Sequence, residues 1–157
     1  MKHHLYNPFF KFYKEPVEFN KYTTKELLQF CLGATLYMPG TKNFTQSILT
    51  KKEPGLTSMV MCFEDAIAEE SLSDAENNVL NVLGDISAAI DDRKITQDDI
   101  PLIFLRVRNT NQFREFSTRL SKKHLRVLTG FVFPKFNSSN GNDYLLQLKK
   151  LNDTFEE

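Results

Sequence analysis

The chain has 157 residues, 41% apolar and 25% charged, the length and composition of one soluble domain that buries roughly 70% of its unfolded surface. Lys plus Arg and Asp plus Glu each number 20, so the net charge is zero and no overall field draws the protein to nucleic acid or to an anionic membrane. Apolar stretches such as 59–63 and 100–105 fall far short of the ~18 residues of a membrane span. The start at Met1-Lys2-His3-His4 has no apolar signal core, and Cys31 and Cys62 lack CxxC spacing. A reducing cytoplasm is the expected setting, which makes the Asn43-Phe44-Thr45 and Asn137-Ser138-Ser139 sequons accidental.

The first 22 residues interleave Tyr6, Phe9, Phe10, Phe12, Tyr13, Phe19 and Tyr22 with Lys2, Lys11, Lys14 and Lys21. Such a pattern can stack on single-stranded nucleic acid. The neutral overall charge, with Glu15 and Glu18 in the same stretch, favours instead an aromatic arm that covers the end of a sheet. Thr23 and Glu26 form a capping-box pattern for a helix running to Leu32 and ended by Gly33. Residues 1–33 are therefore read as an arm and helix, and 34–157 as the body of the fold.

In that body a short apolar run is followed four times by a turn and a helix-period segment, the pattern of consecutive βα units. The first strand is expected over 34–38, ended by Pro39-Gly40, with a short helix over 43–51. The second, over 58–63, runs into Glu64-Asp65. After it, Leu72, Ala75, Val79, Val82, Leu83, Ile86 and Ile90 recur at helical spacing, with Ser73 and Glu76 as a capping box. The third strand, over 102–108, puts Phe104, Arg106 and Arg108 on one face by its two-residue period. A helix over 111–120 and a strand over 128–133 follow, and the 138–142 loop leads to a last helix carrying Tyr144, Leu145, Leu148 and Leu151. Continuous apolar strands of this kind belong to a parallel sheet covered on both faces. The fold class is α/β.

Ligands of parallel α/β folds bind beyond the carboxyl ends of the strands. Those ends offer Gly40 and Thr41 as a backbone anion nest, the carboxylates of Glu64 and Asp65, the guanidinium groups of Arg106 and Arg108, and the Lys135 amine. Arg106 and Arg108 can hold a carboxylate in a bidentate fork, or can pair with Glu64 and Asp65 across strands. Glu64 and Asp65 are neighbours and face opposite ways unless the strand has already ended, so the pair is a poor metal chelate by itself. His3, His4 and His124 form no HExxH or Cys/His cluster and read as surface histidines. Gly40-Thr41-Lys42 lacks the spacing of a phosphate-binding loop, GxSxG is absent, and Cys62 reads as an inert core thiol.

Four segments in order, 32–41 (Leu-Gly-Ala-Thr-Leu-Tyr-Met-Pro-Gly-Thr), 61–67 (Met-Cys-Phe-Glu-Asp-Ala-Ile), 104–109 (Phe-Leu-Arg-Val-Arg-Asn) and 130–135 (Gly-Phe-Val-Phe-Pro-Lys), resemble the HpcH/HpaI aldolase and citrate lyase β-subunit family. More narrowly, they resemble its carbon–carbon bond lyases of the TIM-barrel fold. The resemblance covers about residues 30–136. It implies a (β/α)8 barrel, of which these four units are the N-terminal half. It also implies a Mg2+-stabilised enolate as the reaction intermediate, and an oxaloacetate-like acid or an acyl-CoA thioester as substrate. By position, Arg106 matches the arginine that holds the substrate, Glu64 and Asp65 match the Glu-Asp pair ending the second strand, and Arg108 stands near a more usual asparagine. The family's Mg2+ carboxylates lie on later strands. A half barrel is therefore expected to need a second copy of itself or a complementary C-terminal half, because open strand edges and inward positions such as Leu36 and Phe133 would otherwise meet water. The alternatives are a non-catalytic half barrel that binds an anionic ligand or a partner protein, and an open flavodoxin-like sheet.

Overall fold

A computed structural model describes residues 9, 11–14, 16–65 and 67–155. In chain order it holds α1 (Lys25–Leu28), β1 (Leu36–Pro39), α2 (Thr45–Leu49), β2 (Ser58–Cys62), α3 (Leu72–Asp91), β3 (Leu102–Arg106), α4 (Thr110–Ser117), α5 (Lys122–Leu125), β4 (Leu128–Val132) and α6 (Gly141–Phe155), with 3-10 turns at Glu69–Ser71 and Gln97–Asp99. The strands lie in the order β1-β2-β3-β4, all parallel. Sequential order is that of successive units in a (β/α)8 barrel. The flavodoxin-like alternative would have placed the first strand between the second and third. Among the described residues β1 and β4 are the sheet's two edges. No helix among them is long and apolar enough to cross a membrane.

The strand register sorts side chains between two faces. Met59 and Met61 of β2, with Phe63 beyond its end, and Ile103 and Leu105 of β3 pack with Val79, Val82, Leu83 and Ile86 of α3 into the main core. The helical period of the α3 sequence thus meets the two-residue period of the strands, and twenty residues stay in one helix because an apolar stripe runs along most of its length. The alternate residues, Val60, Leu102 and Phe104, face the other way. Phe19 of the arm, 4% exposed, packs there against Leu102 with Leu28, Cys31 and Phe104. Lys21 Nζ donates to the Leu125 carbonyl, and Asn20 Nδ2 donates to Asp98 Oδ1 at 3.0 Å. These contacts seat the arm at the amino ends of β3 and β4. Phe9 and Tyr13 are exposed, while Lys2, His3, His4, Tyr6, Phe10 and Glu15 lie outside the described residues.

Several local expectations are corrected. Leu36 pairs in register with Met59, and Phe133 stacks on Tyr144 with centroids 4.5 Å apart, so both lie on the helix side. The inward residue of β1 is Tyr37, opposite Val60 and 53% exposed. α3 starts after a 3-10 turn, with Ser71 as N-cap and no side-chain cap bond. Glu76 instead accepts from Gln112 Nε2 at 2.7 Å and Arg119 Nη1 at 2.8 Å. α1 spans only Lys25–Leu28. Thr23 Oγ1 accepts from the Asn20 N–H at 3.1 Å, and the Leu32 carbonyl accepts from the hydroxyls of Thr57 at 2.7 Å and Ser58 at 2.6 Å. Those bonds draw the chain out of helix toward β2. Gly33 has φ 61°, and a Cβ there would stand 2.4 Å from Thr57 Oγ1.

α5 was not anticipated. Its start is a reciprocal cap between Ser121 and His124, with the Ser121 N–H donating to His124 Nδ1 at 3.2 Å. His124 is half-buried and is a packed cap, not a surface histidine. Burial, and then the neighbouring Lys123 charge, hold its pKa below the ordinary value. The unfolded chain therefore takes up this proton first as pH falls, so His124 contributes stability above the ordinary histidine pKa of ~6.5 that is lost as pH drops below it. Thermal denaturation from pH 8 to pH 5 is expected to show a steeper loss for the natural chain than for His124→Gln. Parallel profiles would contradict it.

Candidate active site

The sheet ends carry the charged residues to one rim. Beyond β2, the Phe63 N–H donates to the Arg106 carbonyl at 2.9 Å, and the Phe63 ring, fully buried, meets Phe116 at a centroid distance of 5.0 Å. With that side chain locked on the helix side, Glu64 emerges on the opposite face, 8% exposed. Its amide N–H donates to Cys62 Sγ at 3.3 Å. Arg106 lies opposite Cys62 in register and ends β3.

Four expected site residues meet here. Arg106 Nη2 forms an ion pair with Glu64 Oε2 and stands 2.9 Å from Asp65 Oδ2, and Lys135 Nζ stands 2.9 Å from Glu64 Oε1. Glu64 Oε2 is buried and meets the guanidinium as an ion pair without an aligned hydrogen bond. Because β2 has ended at Cys62, the adjacent carboxylates are free to converge on one nitrogen. Burial opposes the Arg106 charge, but Glu64, Cys62 and Asp65 outweigh it and hold the pKa of the group above its ordinary value. The hydrogen bond to Glu64, and then its charge, raise Lys135 likewise.

Arg108 diverges from Arg106. Its Nη1 donates to the carbonyls of Phe63 at 3.3 Å and Ile67 at 3.0 Å, and its Nη2 pairs with Glu69 at 2.9 Å. Its own N–H donates to Gln112 Oε1 at 3.1 Å. The guanidinium thus braces the 63–69 segment that presents Glu64 and Asp65. Asn109, whose side chain accepts the Gln112 N–H, caps α4. At β1 the Gly40 N–H is already bonded to the Cys62 carbonyl at 2.8 Å, and a Cβ at Gly40 would lie 3.1 Å from both that oxygen and the Phe63 ring. Close packing accounts for this glycine, and its amide is not free to form an anion nest. Thr41 is exposed beside it.

The sequence presents Tyr144 as part of an apolar helix stripe, and the structure brings it to the rim. Its ring is buried on Phe133, and its hydroxyl pKa is raised, first by burial and then by the charge of Glu64. The signal for it was an aromatic at the end of one strand followed by an aromatic in the first turn of the next helix. The rim does not fit Mg2+ through these residues. Its two carboxylates are turned onto Arg106 and Lys135, whereas Mg2+ needs near-octahedral oxygen ligation. No group of three or more His, Cys, Asp or Glu among the described residues is placed to hold a metal ion.

Successive parallel βα units, with arginine, lysine and carboxylates gathered at the carboxyl ends of the strands, define a barrel-type α/β protein. The family model described as C-C bond lyase of the TIM-barrel fold matches residues 26–157, and the chain belongs to that family. No curated protein and no solved structure gave a match.

Proposed function

We propose that the chain carries the substrate-holding rim of a citrate lyase β-like carbon–carbon bond lyase, acting on an oxaloacetate-like acid or an acyl-CoA thioester. The observation that carries this reading is Arg106, a guanidinium at the end of β3 lying between the buried Glu64 and the exposed Asp65. Asp65, 67% exposed, is the partner that an incoming carboxylate displaces. Glu64 stays and keeps Arg106 and Lys135 aimed at the same volume. Cleavage next to a carbonyl leaves the bonding electron pair on an enolate, and two fixed cations stabilise that charge where it develops. The bond breaks as the hydroxyl on the departing carbon becomes a carbonyl; Asp65, at the mouth, accepts that hydroxyl proton, and the enolate carbon takes its proton from solvent. The open edges of β1 and β4 are the places where a second copy or a complementary chain would extend the sheet toward a closed barrel.

Kinetics on the completed, active assembly test the assignment. Arg106→Lys keeps the charge and loses the planar fork, and kcat/KM is expected to fall by at least ~10-fold, about 1.4 kcal/mol of transition-state binding. If Arg108→Lys does the damage and Arg106→Lys is silent, the substrate role belongs to Arg108.

A further inference from the structure

The second cation of the rim is aimed by a device outside the strands. Lys135, in the turn between β4 and α6, has φ 51°, a left-handed conformation that side chains other than glycine enter at a cost. The other such non-glycine residues among those described, Lys51 and Arg93, follow the C-caps of α2 and α3, where that conformation closes a helix. Lys135 closes no helix. Its carbonyl instead accepts two side-chain amides, Asn137 Nδ2 and Asn140 Nδ2, each at 3.0 Å. The two asparagines also fix one another. Asn140 Oδ1 accepts the Asn137 N–H at 2.9 Å, Asn137 Oδ1 accepts the Ser139 N–H at 2.8 Å and its hydroxyl at 2.6 Å, and the Gly141 N–H returns to the Asn137 carbonyl at 2.8 Å.

A lysine side chain 79% exposed has little reason to hold one geometry, since exposed ion pairs are weak and the side chain is long. A backbone fixed in direction removes part of that freedom. We propose that Asn137 and Asn140 are positioning residues, clamping the Lys135 carbonyl so that its ammonium is delivered to Glu64 as the second anion-binding cation of the rim. The inference rests on the reading of that rim as an anion site. It also gives Asn137-Ser138-Ser139 a use within the fold, because the amide a glycan would need is already donated to Lys135.

Side-chain NMR of the lysine ammonium groups in the full chain tests the clamp, with a malonate titration as a second readout. Lys135 is expected to titrate above the other exposed lysines, and to return to the ordinary range near ~10.4 both in Asn137→Ala/Asn140→Ala and in the control Glu64→Gln. Malonate affinity should fall about 3- to 5-fold in the double variant, the range of an exposed ion pair. The single variants, each keeping one amide donor, should give intermediate shifts and serve if the double variant does not fold. An unchanged Lys135 titration in folded variants overturns the clamp. A lowered titration with unchanged malonate affinity upholds the clamp and overturns the role of Lys135 in holding an anion.

Discussion

Phe63→Ala is expected to lower the unfolding free energy by about 4 kcal/mol, within the range for truncating a buried phenylalanine. The ring is fully buried, packs on Phe116, belongs to the core that α3 shares with β2 and β3, and fills the space that forces a glycine at position 40. The site has little room to relax, because the ring packs on Phe116 of α4 on one side and close to the Gly40 backbone on another. The same truncation should loosen the rim, since Phe63 holds the backbone from which Glu64 and Asp65 project. Urea denaturation measures the first effect. A loss under about 2 kcal/mol would mean that the cavity collapses freely and that Phe63 is not the anchor of the site.

Glu64→Ala is expected to cost about 3 kcal/mol, the lower end for breaking a buried ion pair from one side. The low end applies because Arg106 keeps Asp65 and because Lys135 is exposed enough to be rehydrated. Most of the cost is a largely buried guanidinium left with one of its two carboxylate partners. It should therefore shrink to about 1 kcal/mol or less when Arg106→Met is already present, and a double-mutant cycle reads that coupling directly. Equal costs in both backgrounds would show that Glu64 acts through packing and not through the arginine.

The sequence carried the architecture because the two periods are clean. Met59, Met61, Ile103 and Leu105 alternate as strands do, Val79, Val82, Leu83 and Ile86 recur as one helix face, and Pro39-Gly40, Glu64-Asp65 and Pro134-Lys135 mark three strand ends. Glu64, Asp65, Arg106 and Lys135 were legible as site candidates for the same reason, since a strand end fixes where its next residues stand. What could not be read depends on contacts between distant segments. The Ser73–Glu76 cap lost to Gln112 and Arg119, which reach Glu76 from α4 and the turn beyond it. The helix expected from Thr23 to Leu32 forms but stops at Leu28, and the hydroxyls of Thr57 and Ser58 hold the Leu32 carbonyl. Arg106 and Arg108 were placed on one face by assuming a strand to 108, but β3 ends at Arg106 and the second guanidinium turns onto the 63–69 segment. The clamp on Lys135 needed a backbone angle that no composition rule supplies.

The most direct test is a calorimetric titration of the full chain with malonate, a non-reactive dicarboxylate. One saturable site per chain is expected, weakened at least ~10-fold by Arg106→Lys and little changed by Arg108→Lys, because only Arg106 faces the rim that Glu64 and Lys135 share. No saturable heat, or equal binding by the natural chain and Arg106→Lys, would contradict the assignment of this rim as a carboxylate site.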